Sequence, residues 1–200
     1  MRALLHHALF YTLIQNNNYQ LKKVAMKNLY APWRDKYTTS TVRSKKTEAK
    51  KKDCIFCSQF EEHDDEKYFI FRRFFYHAIM FNRYPYNAGH LLIIPFKHTG
   101  NLDDYCPEAR FELIELVHQS TAILQKELGA EGVNTGLNIG KAAGAGIPSH
   151  LHMHVLPRWH GDTNYMPTLA QVKPISFDLH TMYQKLKPAF DAIDHSSLNR

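Results

Sequence analysis

The sequence predicts an α+β domain in which helices pack against a mostly antiparallel sheet. Short runs rich in aromatic and β-branched residues, separated by turn residues, indicate strands with tight connections. One longer segment, residues 107–128, carries apolar side chains at helical spacing. Residues 150–156 alternate histidine with apolar side chains, the period-two pattern of a strand with two unlike faces. This mixture of strands and helices favours the α+β class.

Three strands are predicted in the first half of the domain. Two lie within residues 68–81, with a break near Arg72 and Arg73. Residues 82–90 contain proline, asparagine and glycine, which are typical of a turn. A short apolar strand follows over residues 91–94.

The long helix is predicted over residues 107–128. Asp103 or Asp104 is expected to cap its N-terminus, and Gly129 is a stop signal at its end. The apolar positions that recur at helical spacing are Phe111, Ile114, Val117 and Leu124, with Leu113 and Leu128 beside them. This segment is the main helix expected on the sheet.

The second half of the domain contains two further strands and a last helix. The strands are predicted over residues 133–139 and 150–156, on either side of a glycine-rich loop. The helix is expected to begin at Ser176 and to kink or end at Pro188, because proline lacks the N–H that a helix interior needs. The side chains expected to face the core are Leu179, Met182, Tyr183 and Leu186.

The net charge of +6 is unevenly distributed along the chain. Residues 1–52 hold 12 basic and two acidic side chains, a balance of +10, whereas residues 53–200 hold 13 basic and 17 acidic ones, a balance of −4. The overall basic character is therefore weak support for nucleic-acid binding by the folded domain, and no specific nucleic-acid partner is expected. No apolar run approaches the roughly 18 residues of a membrane span, so no membrane partner is expected either.

Residues 1–25 are expected to form an N-terminal extension that is not native, with Met26 as the natural start of a domain over residues 26–200. The extension contains no acidic residue, which leaves an organelle transit peptide as the alternative. The lysine-rich segment 38–52 is expected to be a solvated loop, and an electrostatic role toward polyphosphate substrates is the alternative. Three cysteines are too few for a disulfide framework, which favours a reducing, cytoplasmic location.

Three histidines occupy alternate positions in His150-Leu151-His152-Met153-His154, and Val155-Leu156 follows them. This arrangement resembles the His-x-His-x-His-hydrophobic-hydrophobic signature of the histidine-triad (HIT) family of nucleotide hydrolases and transferases. Residues 144–149 and 157–167 are similar to the branch that contains diadenosine tetraphosphate phosphorylases. The resemblance runs from about residue 29 to about residue 167 and implies a histidine-triad fold; a histidine-rich surface strand is the alternative.

The resemblance implies that His152 attacks an α-phosphate and becomes a nucleotidyl-histidine. A neutral imidazole is a competent nucleophile because its ordinary pKa of about 6.5 leaves much of it unprotonated at pH 7. In the family the other ring nitrogen donates to a backbone carbonyl of the triad strand, here that of His150. His154 is expected near the phosphate and the scissile oxygen, where it stabilises charge or assists the leaving nucleotide.

The glycines before the triad suit a phosphate-binding loop. Gly144 and Gly146 allow backbone N–H groups to approach an anion closely. Asn138 and Ser149 are the polar side chains at matching positions, although each of these residues, taken alone, is as well explained by a turn-forming role.

By resemblance, the turn over residues 82–90 contacts the nucleoside. Asn82 matches a partner of the ribose hydroxyls, and His90 matches the histidine that the family carries at the end of this turn. Phe81 and Tyr84 are candidates to flank the base. The alternative is that both are core aromatic residues beside a turn.

Cys54 and Cys57 have a Cys-x-x-Cys spacing that suits either a metal site or a redox motif. A redox motif normally lies at the start of a helix after a strand, whereas this pair follows a lysine-rich segment. Relatives of the family complete a zinc site with a histidine and the first histidine of the triad. Carried over to His98 and His150, the resemblance implies a structural Cys2His2 zinc site. Two free thiols are the alternative.

The preferred interpretation is a zinc-containing nucleotidyl hydrolase or transferase that cleaves dinucleoside polyphosphates, specifically a diadenosine tetraphosphate phosphorylase. Its partners would be a dinucleoside polyphosphate or a mononucleotide, together with inorganic phosphate, and the resemblance implies a homodimer. A hydrolase of dinucleoside polyphosphates or adenosine phosphoramidates is the first alternative. A uridylyltransferase is disfavoured, because that branch resembles a longer, doubled chain with Gln in place of the third histidine. A non-catalytic nucleotide-binding protein is the alternative of another class.

Overall fold

The computed structural model describes residues 53–169, 173 and 177–194. The predicted extension over residues 1–25, the start at Met26 and the lysine-rich loop at residues 38–52 lie outside the described residues. Ser176, the expected start of the last helix, lies outside them as well.

Five strands form one sheet in which every neighbouring pair is antiparallel. In chain order they are β1 (Ile70–Arg73), β2 (His77–Phe81), β3 (Leu91–Pro95), β4 (Gly132–Leu137) and β5 (Met153–Arg158). Their spatial order is β1-β2-β3-β5-β4, so the strand that carries the end of the triad lies inside the sheet. The predicted α+β class with a mostly antiparallel sheet is confirmed.

Among the described residues, four α-helices accompany the sheet: α1 (Ile55–Glu61), α2 (Pro107–Leu128), α3 (Met166–Leu169) and α4 (Leu179–Asp191). Short 3-10 turns lie at Leu102–Asp104 and Lys141–Ala143. Within the described part of the chain, no helix combines the length and the apolar character needed to cross a bilayer.

The bounds of α2 agree with the prediction, but its cap does not. Cys106 is the N-cap residue, and Asp103 and Asp104 belong to the 3-10 turn before it. Pro107 begins the helix, where the missing N–H costs no hydrogen bond, and Gly129 ends it with a left-handed φ of 62°.

A buried carboxylate sets the rotation of α2 about its axis. Glu112 accepts hydrogen bonds from the backbone N–H groups of Phe75 (3.1 Å) and Tyr76 (2.9 Å). The apolar helix residues that are buried are Ala109, Leu113, Leu116 and Leu124. The predicted apolar positions Phe111 and Ile114 are 40% and 62% exposed. Burial of Glu112 turns the helix so that these two side chains face outward.

The sheet has an apolar core on each face. Helices α2 and α4 cover one face with the larger core, which includes Leu116, Leu186 and Phe190. Helix α1 belongs to a smaller core on the other face, where Phe56 and Phe60 are buried with Ile70, Met80 and Leu92. Burial on both faces explains why β3, and β2 after His77, are apolar rather than alternating.

Several predicted bounds are wrong by a few residues. The strand predicted over residues 150–156 begins at Met153. The N–H of His150 donates to the carbonyl of Ile147 in the preceding loop, and the N–H of Leu151 donates to the carbonyl of Thr99. The strand predicted over residues 133–139 is β4, which ends at Leu137.

The last helix, α4, begins at Leu179 with Asp178 as its N-cap, whose carboxylate accepts from the N–H of Thr181 at 2.7 Å. The helix does not end at Pro188 but continues through it to Asp191, less than one further turn.

Candidate active site and metal centre

Four cysteine and histidine side chains meet where α1 approaches the segment before β5. The thiol and imidazole atoms of Cys54, Cys57, His98 and His150 all lie within 4.8 Å of one another. Cys54 Sγ is 3.2 Å and Cys57 Sγ is 3.6 Å from His150 Nδ1. His98 Nδ1 is 3.4 Å from Cys57 Sγ and 3.2 Å from His150 Nδ1. The structure therefore brings together the four side chains that the resemblance implies as zinc ligands.

The chemistry of this cluster fits a divalent zinc ion. His150 Nε2–H donates to the carbonyl of Pro95 at 2.8 Å, which leaves Nδ1 as the nitrogen with a lone pair facing the thiols. Burial lowers the pKa of His150 to about 4, so its imidazole is neutral at pH 7. Two thiolates and two neutral imidazoles are a common structural zinc set, with no ligand position left for substrate.

The segment that carries His98 packs closely on the segment that carries His150. The N–H of Leu151 donates to the carbonyl of Thr99 at 2.7 Å. A Cβ atom at Gly100 would lie 2.2 Å from the carbonyl oxygen of Pro148, much closer than van der Waals contact permits. Glycine at this position therefore allows the two ligand-bearing segments to meet.

We expect Gly100→Ala to lower the free energy of unfolding by about 1–3 kcal/mol, the usual cost of overpacking a close contact. Urea unfolding at pH 7 measures this change, and the metal content of the purified variant should fall with it. Gly136→Ala in β4 is the matched control, because a Cβ atom there meets nothing within 4 Å. Equal stability of the two variants would contradict the close approach.

His152 has the tautomer that a nucleophilic imidazole requires. Its Nδ1–H donates to the carbonyl of His150 at 2.9 Å, the acceptor that the resemblance implies. Its Nε2 therefore carries the lone pair, and the ring lines an open cleft. Burial lowers the pKa of His152, and the hydrogen bond to the carbonyl opposes this effect.

A second chain of hydrogen bonds sets the tautomer of His154. The N–H of Tyr86 donates to Nδ1 of His90 at 3.1 Å, so the proton of His90 resides on Nε2. That Nε2 lies 2.9 Å from Nδ1 of His154, which must accept. The proton of His154 is then on Nε2, a buried atom with no hydrogen-bond partner in the described part of the chain. Burial lowers the pKa of His154 to about 4, and His152 adds to this shift.

The turn over residues 82–90 supports this arrangement. Asn82 Oδ1 accepts from the N–H of Tyr84 at 2.9 Å, and Asn82 Nδ2 approaches Nδ1 of His90 at 3.3 Å. The ring of Tyr86 stacks on His154 with centroids 5.9 Å apart and an interplanar angle of 22°. Asn82 and Tyr84 both line the cleft, as predicted for contacts with a nucleoside.

The cleft is open to solvent, and its empty space, the open mouth included, is about 710 Å³. Gly144, Gly146 and Asn138 line it, and Gly144 has a left-handed φ of 85°. Ser149 is not among the lining residues; it is half-buried, beside the close approach of Gly100.

Phe81 also borders the cleft, but its ring is buried and packs edge-on against Phe71, with centroids 4.7 Å apart. This packing is that of a core aromatic residue beside a turn, and a contact of Phe81 with the base stays a prediction.

A family model described as "HIT domain" matches residues 65–161. A HIT-like protein of Methanocaldococcus jannaschii, itself uncharacterized, is 33% identical over 94 residues, which cover 47% of this chain and 70% of that protein. This chain belongs to the HIT family. An AP-4-A phosphorylase of Mycobacterium tuberculosis is 34% identical over 112 residues, which cover 56% of this chain and 57% of the phosphorylase. The match thus spans a little over half of that relative's length.

Solved structures show the same fold. A Zn-bound histidine triad family protein from Mycobacterium smegmatis superimposes with a TM-score of 0.59 at 24% identity, over 71% of this chain and 96% of that chain. A hypothetical histidine triad nucleotide-binding protein from Sulfolobus tokodaii gives a TM-score of 0.56 at 24% identity, over 69% of this chain and 92% of that chain. The predicted histidine-triad fold is therefore confirmed.

Several residues of this HIT domain that line the cleft were missed in the sequence, among them Phe56 and Gln59. Phe56 lies between the two cysteines of the Cys-x-x-Cys motif. The centroid of its ring is 5.4 Å from that of His150 and 5.5 Å from that of His152. Gln59 lies on the next turn of α1 and is buried in the cleft wall. An aromatic residue inside a Cys-x-x-Cys motif was the available signal for Phe56, whereas no local pattern marks Gln59.

The segment after β5 has a structural role in the HIT domain, centred on Asp162. Arg158 contacts its carboxylate through Nε (2.6 Å) and a terminal nitrogen (2.9 Å). Asn87 Nδ2 donates to the same carboxylate at 2.8 Å and to the carbonyl of Pro157 at 3.0 Å. Asp162 thereby joins the turn that carries His90 to the end of β5.

Asp162→Asn is expected to lower the free energy of unfolding by about 1–3 kcal/mol at pH 7, because hydrogen bonds to a charged group are lost. The Arg158 guanidinium holds the pKa of Asp162 well below its ordinary value. A depressed folded-state pKa stabilises the protein above the unfolded pKa of about 3.9, and this contribution fades as the pH falls. Urea unfolding at pH 7 and pH 3 compares the wild-type protein with Asp162→Asn. Their free energies of unfolding should differ less at pH 3 than at pH 7, and an equal difference at the two pH values would contradict the ion pair.

Proposed function

We propose that this HIT protein cleaves dinucleoside polyphosphates through a nucleotidyl-histidine intermediate, as a diadenosine tetraphosphate phosphorylase. The observation that carries the proposal is the hydrogen bond from His152 Nδ1 to the carbonyl of His150, which leaves Nε2 ready to attack from the cleft wall. Similar proteins point to the same substrates: besides the mycobacterial phosphorylase, a bis(5'-nucleosyl)-tetraphosphatase of Schizosaccharomyces pombe is 31% identical over 93 residues, which cover 50% of that protein.

In the first step, Nε2 of His152 attacks an α-phosphorus and displaces the remaining polyphosphate. The P–N bond forms as the bond from phosphorus to the bridging oxygen breaks, and the leaving nucleotide takes the electron pair. Because Nδ1–H donates to the His150 carbonyl, the positive charge that develops on the ring is stabilised at that oxygen.

His154 stabilises the departing oxygen as a hydrogen-bond donor. Its Nε2–H has no partner among the described residues, and its ring lines the cleft beside His152 with centroids 5.0 Å apart. His90 holds that proton on Nε2 by donating to Nδ1. A polyphosphate leaves as an anion, so a fixed donor aimed at the developing charge is the contribution required of this residue.

The glycine-rich loop faces the same space. Gly144 and Gly146 line the cleft, where backbone N–H groups can approach equatorial phosphate oxygens without a side chain in the way. Such positioned dipoles supply most of the catalysis in phosphoryl and nucleotidyl transfer.

In the second step, inorganic phosphate attacks the nucleotidyl-histidine and breaks the P–N bond, which returns the lone pair to Nε2 of His152. With diadenosine tetraphosphate, the two products are ATP and ADP. Zn²⁺ bound by Cys54, Cys57, His98 and His150 would supply a structural crosslink between α1 and the triad segment. A homodimer and a cytoplasmic location complete the proposal.

Product analysis with diadenosine tetraphosphate and ³²P-labelled phosphate tests this function. We expect turnover that depends on phosphate, with the label in ADP and none in ATP. AMP and ATP formed at the same rate with or without phosphate would assign a hydrolase. A symmetric split to ADP alone would contradict attack at the α-phosphorus, and absence of turnover on this substrate and on adenosine phosphoramidate would favour a non-catalytic nucleotide-binding protein.

A further inference from the structure

We infer that Gln59 recognises the base of the bound nucleotide and favours adenine through its exocyclic amino group. This inference rests on the proposed function to the extent that the cleft must bind a nucleotide. It adds a specificity-determining side chain on α1, the helix that follows Cys54 and carries Cys57 of the candidate metal centre.

Gln59 has a buried polar atom without a partner. The residue is 4% exposed, and Oε1 has no hydrogen-bond partner in the described part of the chain. The side chain nevertheless lines the cleft that contains His152 and His154. A buried amide oxygen left unpaired is destabilising, and a ligand N–H that reaches it would recover this free energy.

The surroundings of Gln59 are apolar. Ile55, Phe56, Met80 and Leu92 line the same part of the cleft, and the last three are buried in the core between α1 and the sheet. A flat aromatic base fits between such side chains, whereas a phosphate or a ribose would lose its hydration there. An amide oxygen surrounded by hydrocarbon can then discriminate between bases, because water does not compete for it.

The position of Gln59 along the cleft agrees with the position expected of a base. Phe56 contacts the ring of His152, which marks the place of the α-phosphate. Gln59 is three residues further along α1, a rise of about 4.5 Å on nearly the same helix face. The nucleoside attached to a phosphate at His152 can extend past Phe56 toward this amide.

A glutamine amide presents an acceptor and a donor side by side. Adenine offers the complementary pair at its N6/N7 edge, an amino N–H next to a ring nitrogen with a lone pair, and glutamine or asparagine commonly pairs with this edge. At the same edge hypoxanthine has a carbonyl oxygen in place of the amino group and purine has neither, so both lose the bond to Oε1.

Binding of three 5′-monophosphates to the full chain tests the inference without any variant. Titration calorimetry should show AMP bound roughly tenfold more tightly than purine riboside monophosphate or IMP, the equivalent of about one good hydrogen bond. Equal binding of the three nucleotides, or tighter binding of IMP, would overturn the role of Gln59 and leave the proposed function standing. No binding of any of them would contradict both.

Gln59→Leu assigns the discrimination to this side chain. We expect the variant to bind AMP and purine riboside monophosphate with affinities that differ by less than about twofold. Ser58→Ala, on the exposed side of α1, is the matched control and should keep the tenfold preference. A preference retained by Q59L would overturn the inference. Discrimination by the wild-type chain without any turnover would contradict the proposed reaction alone.

Discussion

Replacing His152 with alanine is expected to lower kcat on diadenosine tetraphosphate by on the order of 10⁴-fold, because the attacking atom is removed. The affinity for AMP should change much less, since the glycine-rich loop and the apolar cleft wall remain in place. Steady-state kinetics and calorimetric titration of the same preparation measure the two quantities. A loss of kcat with binding retained is the result that separates an enzyme from a binding protein.

His118→Ala is the matched control for this prediction. His118 is an exposed histidine on α2, outside the cleft, and its removal should leave kcat unchanged. Rapid quenching of wild-type protein at neutral or alkaline pH should also reveal an added nucleotidyl mass on the peptide containing His152, since P–N bonds are acid-labile. Turnover of His152→Ala at the wild-type rate would contradict the nucleophile assignment.

The parts of the fold that could be predicted from the sequence depend on local signals. Pro107 and Gly129 mark the two ends of α2. Proline lacks an N–H that would have no partner in the first turn, and glycine adopts the left-handed φ at the end of the helix. The rotation of α2 could not be predicted, because Glu112 is buried by hydrogen bonds to backbone N–H groups 36 and 37 residues away in sequence. Hydrophobic periodicity does not predict that a charged residue faces inward, because it takes no account of hydrogen bonds to distant backbone groups.

The same distinction applies to the candidate site. The alternating histidines and the cysteine pair are local patterns, and the structure places them together as expected, although their roles stay predictions. The pairing of His90 with His154 and the burial of Gln59 arise from tertiary packing of separate elements, and no spacing in the chain marks them. Phe81 shows the limit of such local patterns, since an aromatic residue next to a turn can serve the core as well as a binding site, and here it packs on Phe71.

Removal of the proposed zinc ion is expected to destabilise the protein strongly. Cys54 and Cys57 are buried beside His150, and a metal present at roughly 1,000 times its Kd would add about 4 kcal/mol to the free energy of unfolding. For a chain of this size such a loss lowers Tm by about 10 °C. Cys54→Ser should therefore purify with little zinc and melt earlier than the wild-type protein, as should wild-type protein treated with a chelator.

The proposed zinc ligands and the proposed nucleophile should be coupled, because His150 belongs to both sites. Its ring faces the two thiols through Nδ1, and its carbonyl holds the proton of His152. Displacement of this backbone in Cys54→Ser should therefore lower kcat as well as stability, and Zn²⁺ should restore both in chelator-treated wild-type protein. Cys106→Ser is the matched control: Cys106 is exposed, lies outside the metal cluster, and should lose neither zinc nor stability on replacement. Equal zinc content and equal Tm in the two serine variants would show that Cys54 is not a ligand, and the cluster would then be two thiols packed against two histidines.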